Sequence, residues 1–356
     1  MYLRGEKVQL GMKFMTKAYG VLIIKVSKNV RRGKMKKKLL IICSVILMSI
    51  FVIGTVGMSI FTGQSMIEGA FKMNTHEQTK ENGEKFLEEQ GFSTEEFKEH
   101  HQYIEEVSIV SSKGAHQISA DYMTYDGNKN HDTVILVHGH GGDRTTMYPL
   151  AQMFLEEGYN VLTYDQRNSG DNTSEYTTFG YLESEDLQDC VAFVRTQVSR
   201  DKKVGILGQS MGGATAGFYA GKAHANKNVD FIILDGPFDD MYEMIESVMY
   251  EMNTGIPVPY LMFCGSVGTK LKLGFFYQDM NVSKSIAHTE VPVLVITSKA
   301  DKTCPSYMGE AIYEAIPHMN KALWLQEDIE HIMGYYVEPV QYTKEVMTFI
   351  ETYTKK

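Results

Sequence analysis

Six short apolar runs without hydrophobic–polar alternation recur from residue 133 onward. Runs of this length are typical of strands whose two faces are both buried, as in a parallel sheet. Helical stretches separate them; within residues 182–198 the apolar positions recur at spacings of four, three and four. The pattern predicts an α/β fold with a mostly parallel, doubly wound sheet. The runs are residues 133–137, 161–163, 204–207, 231–234, 293–296 and 322–325.

Two departures from regular alternation are expected. Residues 107–110 and 118–125 flank Ser111-Ser-Lys-Gly114, which predicts a β-hairpin before the parallel strands. More than 50 residues separate the runs at 231–234 and 293–296, far more than an ordinary connection. We expect a helical cap insertion over about 238–285, with Met and Phe side chains that pack its underside and partly line an apolar pocket. Its four glycines, at positions 255, 265, 268 and 274, favour a mobile cover.

The N-terminal part contains an uncharged run of 23 residues, 39–61. As a helix it would be about 34 Å long, enough for a hydrocarbon core of about 30 Å. Four lysines lie just before it, and no charge follows until Glu68. This pattern predicts a single-pass signal anchor in the cell membrane, with residues 1–38 as a basic cytoplasmic segment and the remainder extracytoplasmic. The alternatives are a cleaved signal peptide, for which no A-x-A-like site stands out, and a buried core helix.

The segments on either side of this run differ in character. Met35 is followed by three lysines, and Arg31-Arg-Gly-Lys34 can be encoded by codons that read as a bacterial ribosome-binding site. We therefore hypothesise that translation starts at Met35 and that residues 1–34 are not translated. Residues 62–104 are polar and predict a stalk, in which Ser93-Thr-Glu-Glu96 reads as a capping box that starts a helix.

Charge and cysteine content exclude several classes of protein. Residues 1–61 carry 12 of the basic side chains and one acid, which leaves 23 basic and 43 acidic side chains in 62–356, a net charge of −20. Phosphate backbones would repel so acidic a part, so we expect no nucleic-acid partner. Four cysteines in 356 residues exclude a disulfide-built scaffold.

One motif carries chemistry. Gly208-Gln-Ser-Met-Gly-Gly213 directly follows the run 204–207 and precedes a helix rich in small residues. This is a G-x-S-x-G nucleophile elbow in the strand–turn–helix setting that it requires. Gly208 and Gly212 flank Ser210 because the turn is tight, and a Cβ at either position would meet neighbouring backbone.

With these motifs the sequence resembles the serine α/β-hydrolase superfamily, in particular monoacylglycerol lipases and the related "serine aminopeptidase" type. The resemblance covers about residues 105–350 and implies a hydrolase domain over 105–356. Beyond the elbow, four segments match the family pattern: the HG-x loop at 138–142, the D-x-R-x-x-G loop at 165–170, Asp301 after the fifth parallel run, and His331 after the sixth. The chain order Ser210, Asp301, His331 is the order that this fold uses.

The resemblance implies a role for each residue. Ser210 is the expected nucleophile, and His331 the base that takes its proton and later protonates the leaving group. Asp301 would orient the imidazole. The backbone N–H groups of Met211 and His140 would form the oxyanion hole. Asp235, which follows the run 231–234, is the alternative acid.

We therefore predict a membrane-anchored serine hydrolase that cleaves a small-molecule ester or acyl substrate, without metal or cofactor. His138 and His140 lack a third ligand, so we expect them to order the oxyanion loop. Asp165 and Arg167 should tie a loop beneath the site, and Cys304 should be a packed thiol. A peptidase or thioesterase of the same fold is the alternative function, and a non-catalytic surface binding module is the alternative from another class.

Overall fold

Eight strands form one sheet in the computed structural model, which describes residues 5–354. Their order is β1-β2-β4-β3-β5-β6-β7-β8. Strand β1 pairs antiparallel with β2, and β2 with β4, while all remaining pairs are parallel. The strands are β1 (Ile104–Val110), β2 (Gln117–Met123), β3 (Thr133–Val137), β4 (Asn160–Tyr164), β5 (Val204–Gln209), β6 (Phe231–Asp235), β7 (Val293–Ser298) and β8 (Lys321–Gln326). The predicted hairpin and the mostly parallel sheet are confirmed.

The sheet is buried on both faces, which explains why its strands lack alternation. Ile135 and Val137 of β3 belong to one apolar core, whereas Val134 and Leu136 belong to the other. The helices of the chain are α1 (Gly5–Phe71), α2 (His76–Glu89), α3 (Thr94–His100), α4 (Tyr148–Glu156), α5 (Glu183–Gln197), α6 (Met211–Ala220), α7 (Ala225–Asn228), α8 (Met241–Met252), α9 (Val258–Leu273), α10 (Val282–Ile286), α11 (Ser306–Ala315), α12 (Gly334–Val337) and α13 (Pro339–Tyr353). Apolar residues of α5 and α6 pack in the first core, and those of α4 and α13 in the second.

The chain divides into two units, with the boundary between Phe61 and Thr62 inside α1. Residues 1–4 of the predicted basic segment and residues 355–356 lie outside the described residues. In the first unit, α1 contains the predicted span 39–61, and the described residues include one helix long and apolar enough to cross a membrane. The large apolar side chains of this run are exposed; Leu40 and Ile53, for example, are 72% and 71% exposed.

The predicted stalk, residues 62–104, does not stand apart from the hydrolase domain, because the second unit begins at Thr62. Phe71 is fully buried, and its ring lies 5.7 to 6.1 Å from the rings of Phe179, Tyr277 and Phe275. Phe97 stacks on the ring of Tyr148 at 4.7 Å. The polar composition of the segment gave no indication of this packing, because only a few apolar side chains, widely spaced along the segment, hold the segment against the domain.

The predicted start of α3 is confirmed by the Ser93 hydroxyl, which accepts a hydrogen bond from the backbone N–H of Glu96; this is the Ser93 half of the predicted capping box. Helix α2 is held against the loop after β4 as well. The Thr79 hydroxyl accepts a bond of 2.9 Å from the N–H of Gly170, and Lys80 forms an ion pair of 2.5 Å with Asp171. Segment 62–104 is thus an integral part of the second unit.

Helices α8, α9 and α10 lie between β6 and β7, in the region predicted as a cap. Met241, Met262 and Phe275 are buried, as expected for its underside, whereas Phe263 is 65% exposed. Two of the four cap glycines, Gly265 and Gly268, lie inside the continuous helix α9. A Cβ at Gly268 would lie 3.1 to 3.2 Å from backbone atoms of Gly63, so this glycine permits close packing of α1 on α9. The expectation of mobility from glycine content is therefore not supported at this position.

Candidate active site

Ser210 lies in a strained turn between β5 and α6. Its φ of 53° and ψ of −117° are unusual for a residue with a side chain, and its N–H is held by the carbonyl of Asp235 at 2.8 Å. A Cβ at Gly208 would overlap the carbonyl of Gly212, and a Cβ at Gly212 would overlap the carbonyl of Val137. The chain can therefore make this turn only with glycine at both positions.

Three residues from distant parts of the sequence form a hydrogen-bonded series. The Nε2 atom of His331 lies 2.8 Å from the Ser210 hydroxyl oxygen, and its Nδ1 atom lies 2.6 Å from Oδ2 of Asp301. Ser210 follows β5, Asp301 follows β7 and His331 follows β8. The carboxyl ends of these parallel strands meet at one edge of the sheet, which brings the three side chains together.

The carboxylate of Asp301 is fixed on both oxygens. Oδ2 faces His331, while Oδ1 accepts hydrogen bonds of 2.8 Å from the backbone N–H groups of Thr303 and Cys304. Its side chain is 1% exposed, against 19% for His331. The imidazole therefore has a fixed partner at Nδ1 and remains partly exposed to solvent.

Asp235, the alternative acid, faces elsewhere. Its Oδ2 accepts bonds of 2.9 Å from the side-chain N–H of Gln209 and from the hydroxyl of Tyr342. Burial raises the pKa of Asp235 above its ordinary value. This carboxylate braces the residue before Ser210 and is not bonded to His331, so the geometry favours Asp301 as the partner of the imidazole.

The loop after β3 passes directly over Ser210. A Cβ at Gly139 would lie 3.4 Å from the Ser210 Cβ. His138 donates through Nδ1 to the carbonyl of Gly139 at 2.7 Å and accepts at Nε2 from the N–H of Gln166 at 3.0 Å. Burial lowers the pKa of His138 to about 4, so the ring is neutral and acts as a brace for the loop.

The predicted oxyanion donors flank the nucleophile in the chain fold. Met211 is the first residue of α6, where backbone N–H groups lack an intrahelical acceptor. His140 follows Gly139 in the loop, and its ring stacks on Phe179 at 5.5 Å. Desolvation lowers the pKa of His140, although the residue as a whole is exposed. Sequence reasoning missed Gln166, whose side-chain N–H also donates to the His138 carbonyl at 2.6 Å.

Two buried ion pairs tie down the loops beneath the site. Asp165 accepts from the N–H of Arg144 at 2.9 Å and pairs with its guanidinium at 2.5 Å. Arg167 forms two bonds of 3.0 Å with the carboxylate of Asp186. The predicted structural roles of Asp165 and Arg167 agree with these contacts. The third predicted structural group, the Cys304 thiol, is buried, and burial raises its pKa to about 12.

A cavity of about 430 Å³ lies beside the oxyanion loop. Part of its wall comes from α2 and from Asn74, two residues before that helix, in the segment predicted to be a stalk. On the other side is Ile332, a β-branched residue with a φ of 55° directly after His331. The cavity is lined by Asn74, Asn82, Gly83, Phe86, Gly139, His140, Gly141, Gly142, Thr146, Gln209 and Ile332.

Within residues 5–354, no group of three or more His, Cys, Asp or Glu side chains is arranged to hold a metal ion. His138, one of the two histidines considered for such a site, has both ring nitrogens engaged with backbone groups of Gly139 and Gln166. The chemistry that this arrangement supports is proton transfer between Ser210 and His331.

Comparison with known proteins agrees with this fold. Residues 132–256 match the model of the alpha/beta hydrolase fold family. Uncharacterized protein YqkD of Bacillus subtilis is 32% identical over 222 residues, which cover 62% of this chain and 71% of YqkD. The structure of the Pyrococcus furiosus esterase Pf2001 superposes with a TM-score of 0.58 at 21% identity, covering 74% of this chain and 97% of the esterase. An esterase from Exiguobacterium antarcticum gives 0.51 at 17% identity, covering 69% and 99%. The chain belongs to the α/β-hydrolase family.

Proposed function

We propose that this protein is a serine hydrolase that cleaves carboxylic esters through an acyl-enzyme on Ser210. The observation that carries the proposal is the uninterrupted series from the Ser210 hydroxyl through His331 to the buried Asp301 carboxylate. A serine hydroxyl is a weak nucleophile until a base accepts its proton, and an imidazole 2.8 Å away is in position to do so. Asp301 holds the imidazole with the lone pair of Nε2 toward Ser210.

The proposed reaction has two halves. Ser210 Oγ attacks the ester carbonyl while its proton moves to His331 Nε2, and the oxyanion is held by the N–H groups of Met211 and His140. His331 then protonates the departing alcohol. In the second half His331 takes a proton from a water molecule, which attacks the acyl-enzyme. The bond from the acyl carbon to Ser210 Oγ then breaks as His331 returns that proton to Oγ, and the acid is released.

We further propose that residues 39–61 anchor the enzyme in the cell membrane by a single pass. The support is their uncharged sequence, the length of α1 and the lysines that precede the run. By the positive-inside rule, the hydrolase unit lies on the extracytoplasmic side. The enzyme would then be an anchored hydrolase of the monoacylglycerol lipase or "serine aminopeptidase" type, acting on soluble or nearby esters.

A series of p-nitrophenyl esters tests the substrate class. Each buried methylene contributes about 0.8 kcal/mol, a factor of roughly four in kcat/KM until the pocket is full. We expect activity to rise from acetate to butyrate or hexanoate and to fall for long chains. Aminoacyl p-nitroanilides and thioesters of matched acyl groups form the comparison. Faster cleavage of the anilides than of any ester would contradict the esterase proposal and favour a peptidase.

A further inference from the structure

The cavity beside the oxyanion loop has a wall from a segment that precedes the hydrolase domain predicted from the sequence. Helix α2 precedes β1, yet its residues Asn82 and Phe86 line this space. The side-chain N–H of Asn82 donates to the carbonyl of Gly141 at 3.2 Å, so α2 is joined to the oxyanion loop itself. The Phe86 ring is held edge-on against Tyr336 at 5.5 Å, a contact that fixes its orientation.

The chemistry of the lining restricts what can enter. Of its eleven described residues, none is Asp, Glu, Lys or Arg, and the polar groups are carboxamides, a hydroxyl and an imidazole. The charged group next to the lining residue Gly83 is the Asp143 carboxylate, and it already accepts hydrogen bonds from both the N–H and the hydroxyl of Thr145. A charged substrate group placed here would lose hydration without gaining a counter-ion, which is unfavourable.

We propose that this cavity is a substrate subsite for an uncharged group of the ester, and that α2, through Phe86 and Asn82, determines which group fits. The inference rests on the proposed function, since it names the substrate class of the same site. Phe86 and Ile332 contribute apolar walls, and Asn82 contributes a carboxamide that can hydrogen-bond a neutral polar substituent. The enzyme is thus selective for neutral esters of limited size, and residues of α2, which precedes the first strand of the sheet, set that limit.

The test compares Phe86→Trp, which fills the cavity, with Phe86→Ala, which enlarges it, both in the full-length protein. The matched control is Lys85→Ala, the neighbouring position on α2, whose side chain is 76% exposed. Two ester series are measured: p-nitrophenyl esters of increasing acyl length, and acetate esters of increasing alcohol size. We expect Phe86→Trp to lower kcat/KM at least tenfold for the larger members of one series and less than threefold for p-nitrophenyl acetate. Phe86→Ala should move the optimum of that series to larger groups.

A charged ester provides a second, independent test of the subsite. Wild-type enzyme should cleave p-nitrophenyl butyrate at least tenfold faster than p-nitrophenyl hemisuccinate, which adds a carboxylate. Profiles of both Phe86 variants that match Lys85→Ala in both series would overturn the subsite assignment. Equal rates on the neutral and charged esters would also overturn it if the acyl series is the one that responds to Phe86. Labelling of Ser210 by a fluorophosphonate separates the two levels: a labelled, ester-cleaving enzyme with unchanged profiles refutes only the subsite, whereas an unlabelled wild type refutes the hydrolase proposal as well.

Discussion

Replacement of Asp301 by asparagine isolates the orienting role of the carboxylate. The backbone N–H groups of Thr303 and Cys304 both donate to Oδ1, so an asparagine at this position must turn its amide oxygen toward them. Its NH₂ group then faces Nδ1 of His331. Facing this NH₂ group, Nδ1 of His331 can only accept a hydrogen bond, so the ring proton moves to Nε2. The imidazole can then no longer take the proton of Ser210.

The expected loss in kcat is about 10⁴-fold, by analogy with the same exchange in other serine hydrolases. This corresponds to about 5.4 kcal/mol of transition-state stabilisation. Little of it should appear as lost stability, because Asn occupies nearly the same volume and keeps both backbone hydrogen bonds on its oxygen. The substitution therefore separates activity from folding.

The matched control is Asp235→Asn, which alters another buried carboxylate at the same sheet edge. Its oxygen can still accept from Gln209 and Tyr342, so we expect turnover within about tenfold of wild type. Both variants would be measured on p-nitrophenyl butyrate with thermal melts recorded in parallel. An Asp301→Asn enzyme within tenfold of wild type, or a larger loss for Asp235→Asn, would refute the reasoning and move the acid to position 235.

Three further outcomes are expected. Phe71→Ala should lower the free energy of unfolding by about 3–5 kcal/mol and Tm by roughly 6–20 °C, because loss of the fully buried ring leaves a cavity. The control is Phe263→Ala, whose side chain is 65% exposed and which should shift Tm by about 1 °C or less. Equal melting temperatures for the two variants would contradict the packing of segment 62–104. Gly212→Ala should abolish turnover, since its Cβ would overlap the carbonyl of Val137, and an active variant would show that the elbow can relax. Protease added to intact cells should remove the hydrolase unit, and protection until lysis would place it in the cytoplasm.

The sheet was predictable because strands buried on both faces appear in the sequence as short apolar runs without alternation. Each of the six apolar runs became a strand, and the run at 133–137 matches β3 residue for residue. The choice between Asp301 and Asp235 was harder, because β6 and β7 are neighbours and both residues follow their strands at the same edge. Only the side-chain directions distinguish them.

Segment 62–104 was not predictable from its sequence. Its polar residues are typical of a solvated stalk, whereas its few buried apolar residues, such as Phe71 and Leu87, are too widely spaced to give a periodic pattern. The contribution of α2 to the cavity depends on contacts with residues far along the chain, such as that of Asn82 with Gly141. The packing role of Gly268, one of the four glycines counted toward a mobile cap, likewise depends on a contact with a residue far along the chain, Gly63.

Reaction of the purified, full-length protein with a fluorophosphonate probe tests the central proposal most directly. The probe forms a covalent bond with a serine only where a base activates the hydroxyl. We expect stoichiometric labelling of wild type, with the modified peptide containing Ser210, and loss of labelling in a folded Ser210→Ala variant. Absence of labelling in wild type, or equal labelling of Ser210→Ala, would contradict the assignment of Ser210 as the nucleophile.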